Sequence, residues 1–293
     1  MPAKYLAFVS LFFTLIYSTS SFALGKLGHQ IVCQLAFEHL SPQKQHKLTT
    51  LLGAVPIQHQ ALINQYNYKK KTAPITFANA CTWADAIKRL EEFRNYNNWH
   101  FMNVPRAQLE IKANDCSKDC LPQAILAHQT ILSQHDEKNR WRQAQALLFL
   151  GHWLGDLHQP LHISFADDQG GNKIKFSHLG TKCKNLHWYW DECILYKGKQ
   201  SKAKWLTLLQ AKWSQNSQPT WQKNQVWIWA NESFQLARKA DLNYCQINAK
   251  GSCQRPIADI KLPENYLTNN QSIMEKRLLQ AAQRLAKILE SSL

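Results

Sequence analysis

The chain has 293 residues and a formal net charge of +15 at pH 7, from 35 lysines and arginines against 20 aspartates and glutamates. Beyond the amino-terminal segment, no apolar run approaches the roughly 18 residues that a membrane-spanning helix needs, which argues against a stable membrane anchor. No internal repeat, low-complexity tract or Gly/Ser-rich linker interrupts the chain, and it carries no motif that predicts an oligomeric state. We therefore expect one large domain.

The amino terminus has the pattern of a secretory signal. A basic residue, Lys4, precedes the apolar run 6–17, and small residues at the end of the segment form a signal-peptidase site. We therefore expect residues 1–23 to be a signal peptide and residues 24–293 to be the mature domain, secreted or periplasmic. The mature chain would begin at Leu24 and keep a charge of +14, because Lys4 is the only charged residue removed.

Apolar spacing predicts helices along most of the chain and almost no strands. The first helix is expected over 29–40, and Ser41-Pro42 has the pattern of an N-cap and first residue of a second helix that reaches Leu52. Residues 53–76 are predicted to be loop. Further helices are predicted at 78–93, 121–135, 139–159, 186–196, 201–213, 220–240 and 271–291.

Gly170-Gly171, followed by Asn-Lys-Ile-Lys-Phe, predicts a turn and a short hairpin within 167–176. The predicted fold class is therefore all-α. It is a single, mainly helical bundle with a short β-hairpin and an active-site cleft between helices.

Eight cysteines in an exported chain favour disulfides. Close spacing favours three local pairs and leaves two distant cysteines to join, which is one of many possible connectivities: Cys116/Cys120, Cys183/Cys193, Cys245/Cys253 and Cys33/Cys81. Zinc ligation by thiolates is the alternative, but the tight CxxC pairs that it requires are absent.

The segment HWLGDLHQPLH concentrates metal-ligand residue types. His152 and Asp156 lie four residues apart and so share one face of a helix, and Pro160 ends that helix just before His162. The segment NLHWYWD repeats the four-residue spacing with His187 and Asp191. Imidazole and carboxylate are zinc donors, so two such helices packed together could hold several ions.

Three further donors lie beside aromatic or helical segments: His29, Asp85 and His100. For each alone, a hydrogen-bonded or surface side chain is the commoner structural reading. His158 lies inside the first motif but across the helix from Asp156, so we expect it to pack or to support the ligands rather than bind metal.

The basic charge favours a polyanionic partner, and eleven tryptophans and nine tyrosines offer faces on which unpaired bases could stack. The alternative is that the charge keeps an exported protein soluble or near an anionic envelope, while the aromatic residues fill the core. The run Lys69-Lys70-Lys71 carries the same two readings, a phosphate contact or a solvated charge run.

Together these motifs resemble the S1/P1 nuclease family, which belongs to the phospholipase C/nuclease superfamily. Six segments follow the family's order: GHQIV at 28–32, WADAI at 83–87, WHFMNVP at 99–105, HWLGDLHQPLH at 152–162, GGNKI at 170–174 and NLHWYWD at 185–191. The resemblance covers the mature chain and implies an exported, mostly helical enzyme with three zinc ions.

The resemblance also implies a ligand set. One zinc would be held by Asp85, His100, His152 and Asp156, and a second by His162, His187 and Asp191. The third would be bound by the amino group and carbonyl oxygen of Leu24, together with His29 and the bridging Asp156. Two positions depart from the family's pattern: Leu24 stands where Trp is usual, and Asn103 where some members have Asp.

A phosphodiester repels hydroxide and has a poor leaving group, so hydrolysis needs metal ions for both the nucleophile and charge relief. We expect the zinc site to generate a hydroxide nucleophile and to stabilise the departing 3′-oxygen, which gives 5′-phosphate products from single-stranded DNA and RNA. Removal of 3′-phosphate from mononucleotides is a further expected activity. The expected catalytic residues are Asp85, Lys88, one helical turn later, and Asn103.

Two rival functions stay open at this point. A zinc phospholipase C would use a similar site on lipid phosphodiesters, although the basic charge and the exact motifs are closer to the nucleases. A basic exported protein could instead bind nucleic acid with zinc in a structural role, but the full ligand set together with Lys88 argues against that.

Overall fold

The computed structural model describes residues 24–116, 119–134, 136–177, 181–196, 200–215 and 225–293. The predicted signal peptide, residues 1–23, lies outside these ranges, as does the beginning of the helix predicted at 220–240. None of the helices in the described ranges combines the length and the apolarity needed to cross a bilayer.

Helices make up most of this part of the chain, which confirms the predicted fold class. The α-helices are α1 Lys26–Glu38, α2 Pro42–Leu52, α3 Ile57–Tyr66, α4 Phe77–Ala80, α5 Trp83–Ala86, α6 Leu121–Leu132, α7 Arg140–His158, α8 Leu186–Trp188, α9 Ile194–Tyr196, α10 Lys202–Ala211, α11 Gln225–Ala237 and α12 Tyr266–Ser292. Short 3₁₀ helices cover Glu91–His100, Ala113–Asp115, Glu137–Asn139, Pro160–His162, Trp213–Gln215 and Ala240–Leu242, and a π-helical turn, Tyr189–Cys193, joins α8 to α9.

Helix α7 is the centre of the fold. It is buried along nearly its whole length from Gln143 to His158 and packs against α1, α6, α11 and α12. A helix that is apolar on all sides has to be surrounded by other elements. The side chain of Asn139 caps its start by accepting a hydrogen bond from Arg142 N at 3.1 Å, and the helix ends just before Pro160.

Two of the predicted helix and loop assignments are wrong. The predicted loop 53–76 contains α3, which begins after Pro56, because its apolar residues form only a weak stripe and the pattern did not reveal it. The single helix predicted at 78–93 is broken into α4, α5 and a 3₁₀ helix. Between α4 and α5, the Thr82 hydroxyl donates to Asn79 O at 2.8 Å, a local side-chain bond of the kind that competes with helical bonding.

Three pairs of short strands accompany the helices: β1 Met102–Val104 with β2 Ile163–Phe165 in parallel, β3 Phe176–Ser177 with β6 Ile260–Lys261 in parallel, and β4 Gln246–Ile247 with β5 Cys253–Gln254 antiparallel. The predicted turn is present, with Gly170 and Gly171 at φ of 63° and 82°. The hairpin predicted at 167–176 is wrong, because the following strand, β3, pairs with the distant β6 rather than folding back on the turn.

All four expected cysteine pairs form disulfides, which confirms the connectivity favoured by spacing: Cys33–Cys81, Cys116–Cys120, Cys183–Cys193 and Cys245–Cys253. The long-range bridge, Cys33–Cys81, lies against Gly151 of α7, where an added Cβ would come within 2.2 Å of the Cys81 sulfur. The absence of a side chain at Gly151 therefore lets the bridge lock α1 to the segment before α5, directly beside His152.

Candidate metal centre

The structure brings all eight predicted side-chain donors into one buried cluster, although they come from separate elements. None exposes more than 8 % of its surface. The donors and their elements are His29 on α1, Asp85 on α5, His100 at the end of the 3₁₀ helix Glu91–His100, His152 and Asp156 on α7, His162 on the 3₁₀ helix Pro160–His162, His187 on α8 and Asp191 in the π-helical turn.

Asp156 connects the donors of α7 to those of the amino terminus. Its Oδ2 lies 3.0 Å from His100 Nδ1 and 3.3 Å from His152 Nε2. Its Oδ1 lies 3.3 Å from both Leu24 N and His29 Nε2. The two carboxylate oxygens therefore face two different sets of donors, the arrangement that a bridging ligand needs.

A second group of donors surrounds Asp191. His162 Nε2 lies 3.3 Å from Asp191 Oδ1, and His187 Nε2 lies 3.3 Å from Asp191 Oδ2. His187 and Asp191 are four residues apart, as the sequence predicts, but Asp191 lies in the π-helical turn rather than in regular α-helix. Such turns often occur at functional sites because they redirect one side chain.

Backbone carbonyls fix the orientation of three of the imidazoles. The Nδ1 atoms of His152, His162 and His187 donate to Cys81 O at 2.8 Å, His100 O at 2.6 Å and Gly170 O at 2.7 Å, respectively. With Nδ1 engaged as a donor, the Nε2 lone pair of a neutral ring points toward the carboxylates. This arrangement makes Nε2 the available metal ligand in each case.

Close approach between α1 and α7 places the amino-terminal donors. A Cβ at Gly155 would lie 2.6 Å from His29 Nδ1, and one at Gly28 would lie 2.6 Å from the Leu24 side chain. Leu24 is only 1 % exposed. The Leu24 side chain is therefore packed in the core, at the position where the family that the sequence resembles usually has tryptophan.

The charges of the cluster suit cations. Burial lowers the pKa of His29 to about 4 and that of His100 to about 3, so both rings are neutral at pH 7. Burial by itself would raise the pKa of Asp156, but the surrounding histidines hold it well below its usual range. Asp85 is likewise kept ionised, with Lys88 Nζ 2.7 Å from its Oδ1.

These residues fit a set of metal ions. Three groups of donors each have their ligand atoms within 4.8 Å of one another: His29 with Asp85 and His152, His100 with His152 and Asp156, and His162 with His187 and Asp191. In addition, the buried Asp191 Oδ2 accepts no hydrogen bond from any residue that the structure describes. Imidazole nitrogen with carboxylate oxygen is a donor set that zinc accepts.

The three expected catalytic residues lie at two ends of the cluster. Asp85 and Lys88 form an ion pair at one end, and the Lys88 side chain is 20 % exposed. Asn103, on β1, lines a cleft of about 510 Å³ together with His187 and Phe101. The cleft thus opens directly onto the Asp191 group of donors.

Two residues of the site were missed in the sequence. The Tyr66 hydroxyl lies 3.4 Å from Asp85 Oδ2, but Tyr66 falls in the segment predicted to be loop. Gln159 is completely buried, and its Nε2 donates to Asp191 Oδ1 at 2.6 Å while its Oε1 accepts from Leu161 N at 2.6 Å. The only sequence signal that Gln159 belongs to the site was its position between Asp156 and Pro160.

His158 packs between helices, which is the first of the two roles predicted for it, and is not among the donors. Its Nδ1 donates to Leu154 O at 2.7 Å, and its Nε2 lies 2.8 Å from Arg284 Nη1. The Arg284 side chain in turn pairs with Glu232 on α11. His158 therefore joins the end of α7 to α11 and α12 and faces away from the donors.

Comparison with known proteins shows the family of the chain. The profile of the S1/P1 Nuclease family matches residues 24–293. The chain belongs to the S1/P1 nuclease family. It is 32 % identical to Endonuclease 3 of Arabidopsis thaliana over 286 residues, which covers 90 % of this chain and 87 % of the relative.

Fungal relatives are more distant. Nuclease S1 of Aspergillus oryzae is 28 % identical over 61 % of this chain and 56 % of its own length, and Nuclease P1 of Penicillium citrinum is 27 % identical over 57 % and 56 %. The protein is therefore a nuclease of this family, and its buried donor cluster is the candidate catalytic site.

The contact between Gln159 and Asp191 leads to a prediction about metal affinity. Gln159→Met keeps the volume but removes both hydrogen bonds, so Asp191 loses the partner that orients it. We expect zinc affinity of the Asp191 group to fall about 10- to 100-fold. The measurement is a titration of Zn²⁺ against a fluorescent chelator.

Gln129→Met is the matched control for that experiment. Gln129 is also buried and bonds Ser133 and Ser292 through its amide, but it lies on α6 outside the donor cluster. Both variants should lose some stability without metal. An equal zinc affinity in the two variants would contradict a positioning role for Gln159.

Proposed function

We propose that this nuclease is an exported, zinc-dependent enzyme that hydrolyses single-stranded DNA and RNA to products with 5′-phosphates. The observation that carries the proposal is the presence of three buried groups of imidazole and carboxylate donors in a chain of this family. The proposed zinc ligands for three ions are Leu24, His29, Asp85, His100, His152, Asp156, His162, His187 and Asp191.

Zinc bound at these residues would supply a hydroxide nucleophile at neutral pH and positive charge for the anionic phosphate. The protein itself keeps the donor side chains buried from solvent and fixed in orientation. The carbonyls of Cys81, His100 and Gly170 fix three imidazoles, and Asp156 is shared between two groups of donors. Rigid donors at fixed spacing hold the scissile phosphate in one place.

Lys88 is the proposed electrostatic stabiliser of the reacting phosphate. Its ammonium is fixed beside the cluster by Asp85 Oδ1 at 2.7 Å, yet a fifth of the side chain is exposed. A cation held in this way can contact a phosphate oxygen as negative charge develops there. Tyr66 supports the arrangement by donating to the other oxygen of Asp85.

The cleft beside His187 supports a preference for unpaired bases. Phe101 lines this cleft with Asn103 and Asn172, which offers one aromatic face and two amides to a base. A base can enter such a cleft only if it is not stacked and paired in a duplex. A nucleoside held there with its 3′-oxygen at the cluster would also permit release of a 3′-phosphate.

Export is supported by the four disulfides within the described part of the chain, which are typical of oxidising compartments. Leu24 N lies 3.3 Å from Asp156 Oδ1. Cleavage of the proposed signal peptide, residues 1–23, would turn this amide nitrogen into a free amine that can bind metal. Secretion and completion of the site would then be the same event.

The rival functions are not favoured. The matched family and the relatives described above are nucleases, which gives no support to a lipid phosphodiesterase. Membership in an enzyme family likewise argues against a purely structural metal site.

The proposed function is tested with protein that begins at Leu24 and with single-stranded DNA and RNA as substrates. We expect release of 5′-mononucleotides, loss of that release after chelation and recovery when Zn²⁺ is restored, because the donors serve as ligands of the reaction's metal. The measurement is chromatography of the products. Unchanged cleavage after complete chelation, or products with 3′-phosphates, would contradict the proposal.

The role of Lys88 is tested with Lys88→Ala. We expect the turnover rate to fall at least about 100-fold while zinc content stays normal, because a fixed charge near the transition state is lost. Lys112→Ala is the matched control, since Lys112 also pairs with a carboxylate, Glu110, but is 65 % exposed and outside the cluster. Full activity of Lys88→Ala would exclude this role.

A further inference from the structure

A second groove, of about 570 Å³, adjoins the donor cluster on the side of Asp85. Its lining includes Gly25, next to Leu24, and Ala86, next to Asp85, and also Tyr66, whose hydroxyl reaches Asp85 Oδ2 at 3.4 Å. Within the described ranges, it shares no lining residue with the cleft at His187 and Phe101. The candidate metal centre therefore has two separate grooves beside it.

Tyr68 is the unusual residue of this second groove. Its side chain is 92 % exposed, so the ring contributes almost nothing to the core. Its φ of 56° lies in the left-handed region, which is unfavourable for a residue with a Cβ. This left-handed residue ends helix α3 in a Schellman motif, in which Lys69 N donates to Asn64 O at 2.8 Å. Glycine is usual at such a position, so neither the backbone nor packing in the core explains an exposed tyrosine ring there.

The loop that carries Tyr68 is held in place. Tyr68 N donates to Gln65 O at 3.1 Å, and the buried Asn64 side chain donates to Lys71 O at 3.1 Å and Ala73 O at 2.6 Å. Lys26 Nζ lies 3.7 Å from the centroid of the Tyr68 ring. The ammonium covers one face of the ring and leaves the ring open to solvent elsewhere.

The groove carries positive charge. Lys26 and Lys182 line it. Glu192, the one acidic residue in the described part of its lining, already accepts from Lys182 Nζ at 2.7 Å and Trp188 Nε1 at 2.8 Å. The exposed run Lys69-Lys70-Lys71 follows Tyr68 directly. An exposed aromatic face bordered by ammonium groups has the chemistry that single-stranded nucleic acid requires, stacking for a base and charge for its phosphates.

We infer that this groove binds the part of a single strand that continues past the scissile phosphate. One base stacks on the open face of Tyr68, and the neighbouring phosphates contact Lys26 and the lysines after Tyr68. The strand then runs from the cleft at Phe101, across the metal centre and into the second groove. This inference rests on the proposed nuclease function and adds a substrate subsite to it.

The subsite is tested by steady-state kinetics on a length series of oligothymidylates, from the dimer to the decamer. Tyr68→Leu should raise KM for the decamer about 10-fold and leave kcat unchanged, because it removes stacking on bound strand and nothing from the metal centre. The effect should shrink as the substrate shortens. Tyr68→Phe keeps the aromatic face and should behave as wild type.

The charge contribution is tested in parallel. Lys26→Met should also raise KM for the decamer, whereas Lys250→Met, which removes an equally positive exposed residue from the β4–β5 turn, should not. An unchanged KM in Tyr68→Leu, or an equal rise for Lys250→Met and Lys26→Met, would overturn the subsite.

A binding measurement separates this inference from the proposed function. Fluorescence anisotropy of a labelled, cleavage-resistant phosphorothioate decathymidylate with the zinc-loaded protein reports affinity without turnover. If wild type cleaves no nucleic acid, the proposed function fails, and weaker binding by Tyr68→Leu than by Tyr68→Phe would still support the groove. Equal affinity of these two variants would refute the groove even in an active nuclease.

Discussion

The arrangement of the core around the donor cluster depends on the buried carboxylate of Asp156. An ionised carboxylate without solvent is costly unless positive charge and hydrogen-bond donors surround it. Here one oxygen faces Leu24 N and His29 and the other faces His100 and His152, and cations bound among these atoms would supply the charge that the neutral His29 and His100 rings lack. Segments far apart in the chain are thus drawn to one point in the core, and the same point is the candidate metal centre.

Helix α7 supplies the frame for this arrangement. It is surrounded on all sides, and two glycines on it allow unusually close neighbours: Gly151 admits the Cys33–Cys81 disulfide, and Gly155 admits the His29 ring. The disulfide also fixes Cys81, whose carbonyl orients His152. The packing around α7, the disulfide and the orientation of the ligands therefore depend on one another. We expect a substitution that disturbs any of the three to disturb the donor cluster as well.

The sequence alone predicted the helical fold and the donors of the two motifs because both depend on local patterns. His29, Asp85 and His100 were expected as ligands only from the family resemblance. The four-residue spacing of His152 and Asp156 and the helix stop at Pro160 are local signals. The contacts of Tyr66 with Asp85 and of Gln159 with Asp191 join residues far apart, so no spacing reveals them. The wrong hairpin has the same cause, since β3 pairs with a strand more than eighty residues away.

The most direct test of the account is to count zinc ions by native mass spectrometry on protein that begins at Leu24. We expect three ions in the wild type. Asp156→Asn should retain only the ion of the His162, His187 and Asp191 group, because the shared carboxylate is lost from the other two. Three ions in Asp156→Asn, or fewer than three in the wild type at saturating zinc, would contradict the central role of Asp156.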